Sequence, residues 1–228
     1  MKKVLAGIIV FLCLLQLAIP GIARQMISTK LQSAASSETI EVDVNTVPAF
    51  MMLLGRMDYL RAEANNGVLG RLRVSNMVLE GRKIQADIME LDANNGKAVS
   101  SAESLTLTGI ITEENLQQFL EEEWGDVENL KVTMTPEQIA VSGQLEFLGK
   151  KADLQMSGII FEDNGEISFH MEKLEVKNSR LGNAVIGNFF GDIVLLDTRR
   201  LYFPAEYESA VMQNGSVILK ARMRQPNE

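Results

Sequence analysis

Residues 130–171 read LKVTMTPEQIAVSGQLEFLGKKADLQMSGIIFEDNGEISFHM. Apolar side chains recur at alternate positions: Leu130, Val132 and Met134, then Ile139, Val141, Leu145 and Phe147, then Ala152, Leu154, Met156 and Ile160, then Ile167, Phe169 and Met171. A period of two places each set on one face of a pleated strand and leaves the intervening Lys, Thr, Gln, Glu and Ser on the other. One dry and one wet face is the pattern of antiparallel strands. The stretch also contains Asn164-Gly165, a pair that supplies the positive φ angles of a tight hairpin turn.

The same signals extend outward. Val217, Leu219, Ala221 and Met223 alternate near the end of the chain, and Asn-Gly recurs at Asn66-Gly67, Asn95-Gly96 and Asn214-Gly215, each expected to be a hairpin turn. Three stretches have helical spacing instead: 48–56 with Phe50, Met51, Leu53 and Leu54, 112–124 with Leu116, Phe119 and Leu120, and 181–190 with Val185, Ile186, Phe189 and Phe190. Thr112 is a good N-cap, and Glu113 and Glu114 suit the positive end of the helix dipole. The expected fold class is α+β: a large, twisted antiparallel sheet with helices laid against its apolar face.

The N-terminus has a different character. Lys2 and Lys3 precede an apolar run, residues 4–19, broken only by Gln16, and Pro20, Gly21, Ile22 and Ala23 follow. This is a secretory signal layout, with small residues at Gly21 and Ala23 for cleavage before Arg24. Retained, residues 4–23 would span a bilayer core of roughly 30 Å at about 1.5 Å per residue, so an uncleaved anchor is the alternative. By the positive-inside rule Lys2 and Lys3 stay cytoplasmic, and the rest is delivered to the cell envelope outside that membrane. The expected organisation is a signal or anchor at 1–23, a helical stalk or tether at 24–38 with Ile27, Leu31 and Ala34 at helical spacing, and a working domain at 39–228.

Composition narrows the function. The chain has 228 residues, a net charge of -8 and 46% apolar residues. It is too apolar for a disordered chain and too acidic to grip nucleic acid through a basic face, so no nucleic-acid partner is expected. One cysteine, Cys13, and one histidine, His170, leave almost no material for disulfides, Cys/His zinc sites or nucleophile pairs. Cys13 reads as a small hydrophobe within the leader, and His170 as a surface residue. The acidic residues Glu121, Glu122, Glu123, Asp126 and Glu128 read as a solvated helix end, without the spacing of a calcium loop. Neither a metal, a cofactor nor an enzymatic activity is expected.

Residues 47–56, VPAFMMLLGR, followed by 62–69, resemble the opening of the LmeA-like phospholipid-binding family of bacterial envelope proteins. Ser101-Ala102-Glu103-Ser104-Leu105 leading into Ile111-Thr112-Glu113-Glu114-Asn115-Leu116 resembles that family's central strand and helix. Val141-Ser142-Gly143 through Phe147-Leu148-Gly149 resembles the next strand and turn, and Asn214-Gly215-Ser216-Val217-Ile218-Leu219 the closing strand. Phe203-Pro204 stands where the family usually has Leu-Pro. The resemblance covers roughly residues 39–222. It implies a secreted or anchored phospholipid-binding protein whose curved sheet wraps around helices, as in tubular lipid-binding proteins.

A lipid carrier needs a wide apolar surface to replace water around acyl chains. The eleven methionines left once Met1 is removed with the leader, with few aromatics beside them, supply flexible side chains that suit a cavity adapting to varied acyl chains. The expected walls are Phe50, Met51, Leu53 and Leu54 of the first helix, Leu116 and Phe119 of the second, and Ile186, Phe189 and Phe190 of the third. Arg71 and Arg73, with Arg222 and Arg224, project from the polar faces of their strands and are candidates for contact with a phosphate headgroup or an anionic membrane surface. The expected function is phospholipid binding in the envelope, with transfer of the lipid as an extension. The alternative is a membrane-tethered structural or interaction module without lipid cargo, its protein partners unspecified.

Overall fold

The computed structural model describes residues 2–37, 39–87, 98–147, 150–177 and 192–224. A helix, α1 (Lys2–Ala35), is followed by β1 (Thr39–Asn45), a 3-10 turn (Ala49–Leu54), β2 (Arg56–Leu69), β3 (Leu72–Ala86), β4 (Val99–Ser101) and β5 (Ser104–Thr112). Then come α2 (Glu113–Glu123), β6 (Val127–Met134), β7 (Ile139–Phe147), β8 (Lys150–Asp163), β9 (Glu166–Lys177) and β10 (Ile193–Asp197). A second 3-10 turn (Thr198–Arg200), β11 (Ala205–Gln213) and β12 (Ser216–Met223) complete the chain.

The strands form two antiparallel sheets where one was expected. The first has the order β1-β2-β3-β5-β12-β11, with β4 also on β3, and the second runs β10-β9-β8-β7-β6. The chain passes between them through α2 and returns through the turn Thr198–Arg200. Helix α2 begins where the sequence places it. Thr112 Oγ1 accepts from the Asn115 amide at 3.3 Å, and Asn115 Oδ1 accepts from the Thr112 amide at 3.1 Å, a reciprocal capping box. Leu116, Phe119 and Leu120 on one face of α2 are buried. Glu113 Oε1 accepts from the Met134 amide at 2.7 Å, and the Gly215 amide donates to the Met134 carbonyl at 3.1 Å. These bonds tie the end of the second sheet to the first, and one apolar core runs through both.

The alternation in residues 130–171 becomes the interior of the second sheet. Leu130, Val132, Met134, Ile139, Val141, Leu145, Ala152, Leu154, Met156, Ile167 and Phe169 are buried, while Ile160 and Met171 are partly covered. Val217, Leu219, Ala221 and Met223 are buried as expected. Asn164 and Gly165, at φ 51° and 85°, turn β8 into β9, and Gly215, at φ 81°, closes the β11–β12 hairpin. Asn95-Gly96 lies outside the described residues.

Asn66-Gly67 is a correction, because it falls inside β2 and the hairpin turns at Gly70 and Arg71 instead. Asn66 adopts φ 54° within the strand, which breaks the alternation of the pleat. Leu60, Ala62 and Ala64 point inward before it, and Gly67 and Leu69 after it. A Cβ at Gly67 would lie 3.4 Å from the Ala35 carbonyl oxygen, so the missing side chain lets the end of α1 settle on β2.

The first expected helix, 48–56, shortens to the 3-10 turn. Gly55 ends it at φ 74°, its amide donating to the Met52 carbonyl at 3.0 Å and its carbonyl accepting from Ala86 at 2.8 Å. The third, 181–190, lies outside the described residues. Helix α1 runs without a break through Ala23. Residues 24–35 are helical as expected but lie against the first sheet, with Ile19, Ala23, Ile27 and Ala35 buried. Among the described residues, no helical segment is both long and apolar enough to cross a membrane.

Candidate lipid-binding site

The inward positions of β2 change from large to small, Leu60 and then Ala62 and Ala64. Ala64 pairs with Ile40 of β1 and Met77 of β3, and Ala62 with Val42 and Leu79. Two methyl groups cannot fill the space between a sheet and a helix, which face-to-face packing of larger side chains would close. The result is an apolar cavity of about 280 Å³. Ala62, Ala64, Met77, Leu79 and Leu107 form its floor, and Leu31 and Ala35 of α1 one wall. Leu201, Tyr202 and Phe203, which follow the second 3-10 turn, form the opposite wall.

Among the described residues, one charged side chain borders this cavity. Arg200 is 84% exposed, and its Nε lies 3.4 Å from Asp197 Oδ2. Asp197 caps the turn by accepting from the Arg199 amide at 3.0 Å and from Arg199 Nε at 2.8 Å, and Arg199 also pairs with Glu166. The Arg199 side-chain hydrogen bond is the main cause holding the Asp197 carboxyl below its ordinary range, helped by the Arg199 amide and the charges of both arginines against the opposing effect of burial. The same pairing raises the Arg199 guanidinium above its usual value. Thr198, 1% exposed, fixes the turn from below: its amide and Oγ1 both donate to the Gly165 carbonyl, at 2.8 and 2.9 Å. Arg200 is therefore carried to the rim on a fastened turn.

The residues expected from the sequence distribute differently. Leu116 and Phe119 are buried in the core under α2, at 1% and 4% exposure, and do not line the cavity. Phe50, Leu53 and Leu54 stand on the first 3-10 turn at 46%, 67% and 62% exposure, away from the cavity lining, with Met51 half-buried beside them. Met52, which was not among the expected walls, enters the core from that turn together with Ala49. Ile186, Phe189 and Phe190 lie outside the described residues. Arg71 pairs with Glu123 and lies 5.8 Å over the Phe119 ring, and Arg73 is exposed. Arg222 Nε donates to Glu206 Oε1 at 2.7 Å, and Arg224 Nε lies 3.8 Å from Glu206 Oε2, so these two share one carboxylate.

A second depression, on the outward face of the second sheet, is polar and open, bordered by Lys131, Gln155, Lys173 and Glu175. It offers nothing to an acyl chain. His170 is half-exposed, its Nδ1 2.8 Å from Asp192 Oδ1 and its ring 5.9 Å from that of Phe161. Among the described residues no cluster of His, Cys, Asp and Glu could hold a metal ion.

The geometry is thus an apolar chamber with a cation at its edge. No curated protein and no solved structure matches the chain. The sequence model of the LmeA-like phospholipid-binding family matches residues 15–222, which take in every strand, both walls of the cavity and the rim. The chain belongs to the LmeA-like phospholipid-binding family.

Proposed function

We propose that the protein holds a phospholipid with part of one acyl chain in the cavity between β2, β3, β5, the end of α1 and residues 201–203. The observation that carries this reading is the apolar cavity of about 280 Å³ in a member of a phospholipid-binding family. At the roughly 30 Å³ a small molecular group takes in a liquid, such a volume accepts about nine methylenes. That is a stretch of one chain and not a whole lipid, so the headgroup and second chain lie outside. At about 0.8 kcal/mol per methylene, burial contributes on the order of 7 kcal/mol before the entropic cost of binding. Arg200 at the rim supplies a guanidinium for the phosphate.

The N-terminal segment carries the domain to the cell envelope, and α1 lying against the first sheet supports a tubular lipid-binding arrangement of sheet around helix. Binding of this kind is noncovalent and needs no cofactor. Lipid transfer between membranes would use the same chamber.

The test is native mass spectrometry with lipid extraction on protein purified without detergent. Phospholipid recovered at about one per chain supports the proposal. An empty, folded protein that takes up no lipid from vesicles would contradict it and favour the interaction module.

A further inference from the structure

Exposed apolar side chains gather at one end of the molecule. Ile22, Val47, Phe50, Leu53 and Leu54 are five of the nine large hydrophobic residues exposed among the described residues. Four of them belong to residues 44–55, a stretch without one charged residue. Val47 is 80% exposed, and on the neighbouring 3-10 turn Met52 points into the core while Leu53 and Leu54 point out. An apolar patch of this kind on a folded domain marks a surface that meets another apolar phase.

The position of the patch identifies that phase. The Ala49 amide donates to Gln16 Oε1 at 3.0 Å, so the 3-10 turn lies level with Gln16 of α1. Gln16 is the polar break in the apolar N-terminal run. At about 1.5 Å per residue it lies only ~18 Å along the helix from Val4, which follows the two lysines that mark the cytoplasmic boundary. A hydrocarbon core is about 30 Å thick, so an upright helix would place Gln16 about 12 Å short of the far edge, and a typical tilt of about 20° moves it deeper. Ile19, Ala23 and Ile27 are already buried against the domain and cannot face lipid on that side. When residues 4–15 occupy a bilayer, the docked turn must enter its outer leaflet as well.

We propose that the 3-10 turn Ala49–Leu54, with Val47 and the outer face of α1 at Ile22, is a membrane-inserting element that seats this end of the domain in the outer leaflet of the membrane that holds the N-terminal run. This rests on the reading that the N-terminal run enters that membrane. The occupant is lipid rather than protein because the patch continues the surface of the apolar N-terminal run. Arg24 and Asp43, 3.8 Å apart, and Asp58, whose Oδ2 accepts from the Val47 amide at 2.9 Å, give it a charged border that suits a headgroup layer.

The test uses the full chain reconstituted into phosphatidylcholine–phosphatidylglycerol vesicles. Cys13 is the sole cysteine, so a nitroxide on it reports directly on the N-terminal run. In a Cys13→Ala background, Leu53→Cys and Val47→Cys place the label on the turn, and Glu122→Cys on exposed α2 serves as the aqueous reference. All are exposed positions, so folding is preserved, which circular dichroism verifies. The expected result is that labels at 13, 47 and 53 collide several-fold more with oxygen than with a water-soluble nickel chelate, while the label at 122 shows the reverse. A lipid-exposed label at 13 with water-exposed labels at 47 and 53 would overturn this proposal alone and leave the N-terminal reading standing. A water-exposed label at 13 would overturn both.

Discussion

Replacing Ala64 by leucine separates a lipid chamber from an ordinary core. Ala64 is 3% exposed, sits between Ile40 and Met77 in the sheet and faces the cavity of about 280 Å³. Leucine adds three carbons, on the order of 90 Å³ at roughly 30 Å³ each, about a third of that space. About three methylenes of a bound chain are displaced, at a cost of ~2.4 kcal/mol at about 0.8 each. With about 1.4 kcal/mol per tenfold, affinity for a phospholipid falls roughly 50-fold. The lipid-free protein responds in the opposite direction. Filling an apolar void returns about 24 cal/mol per Å³, so delipidated Ala64→Leu gains ~2 kcal/mol of stability. The assays are binding of a fluorescent phospholipid and urea unfolding of the delipidated protein. Weaker binding together with higher stability is the expected pair. Unchanged affinity, or a loss of binding accompanied by a loss of stability of ~1–3 kcal/mol from overpacking, would refute the chamber.

Two further outcomes follow from the rim. Arg200→Glu reverses the charge of the rim arginine and is expected to weaken binding of phosphatidylglycerol more than of a neutral diacylglycerol, with the difference shrinking as salt rises; equal effects on both lipids would remove Arg200 from headgroup recognition. Asp197 has a folded-state value below its ordinary one, so its contribution is fully present above the ordinary carboxylate range near pH ~4 and is lost as pH falls through the lowered value. Protection of the Arg199 amide, relative to its intrinsic exchange rate, should therefore fall on acidification below about pH 4; the same acid response in Asp197→Asn would assign it to another group.

The strands were legible because their signal is local. The alternation in residues 130–171 and 217–223 needs no knowledge of partners, and the capping box at Thr112 is contained within four residues. The division into two sheets was not legible, since it depends on α2 and the turn Thr198–Arg200 carrying the chain across the core. Asn66-Gly67 misled for a related reason. Positive φ serves a turn and a break in the pleat equally, and only the pairing of β2 with β3 distinguishes them. Family membership was visible in the order of short segments and holds over residues 15–222.

The candidate site was hidden more deeply. Its cavity arises where small residues, Ala62 and Ala64, meet a helix end and a loop distant in sequence, and no window of sequence contains all three. Alanines at two successive inward positions of β2 were the available signal. Phe50, Leu53 and Leu54 show the converse. Their spacing marks an apolar surface, but whether that surface is covered depends on α1 and β3, which leave it open. Arg222 and Arg224 project as expected, and Glu206 on the neighbouring strand occupies them.

The most direct measurement is photo-crosslinking with a phospholipid bearing a diazirine in its acyl chain, followed by peptide mapping. Crosslinks concentrated on the segments carrying Ala62 to Leu69, Met77 to Leu79, Leu107 and Leu201 to Phe203, and competed away by unlabelled lipid, are the predicted result. Crosslinks confined to residues 47–54, or to the outward face of the second sheet, with none on the cavity segments, would contradict the account.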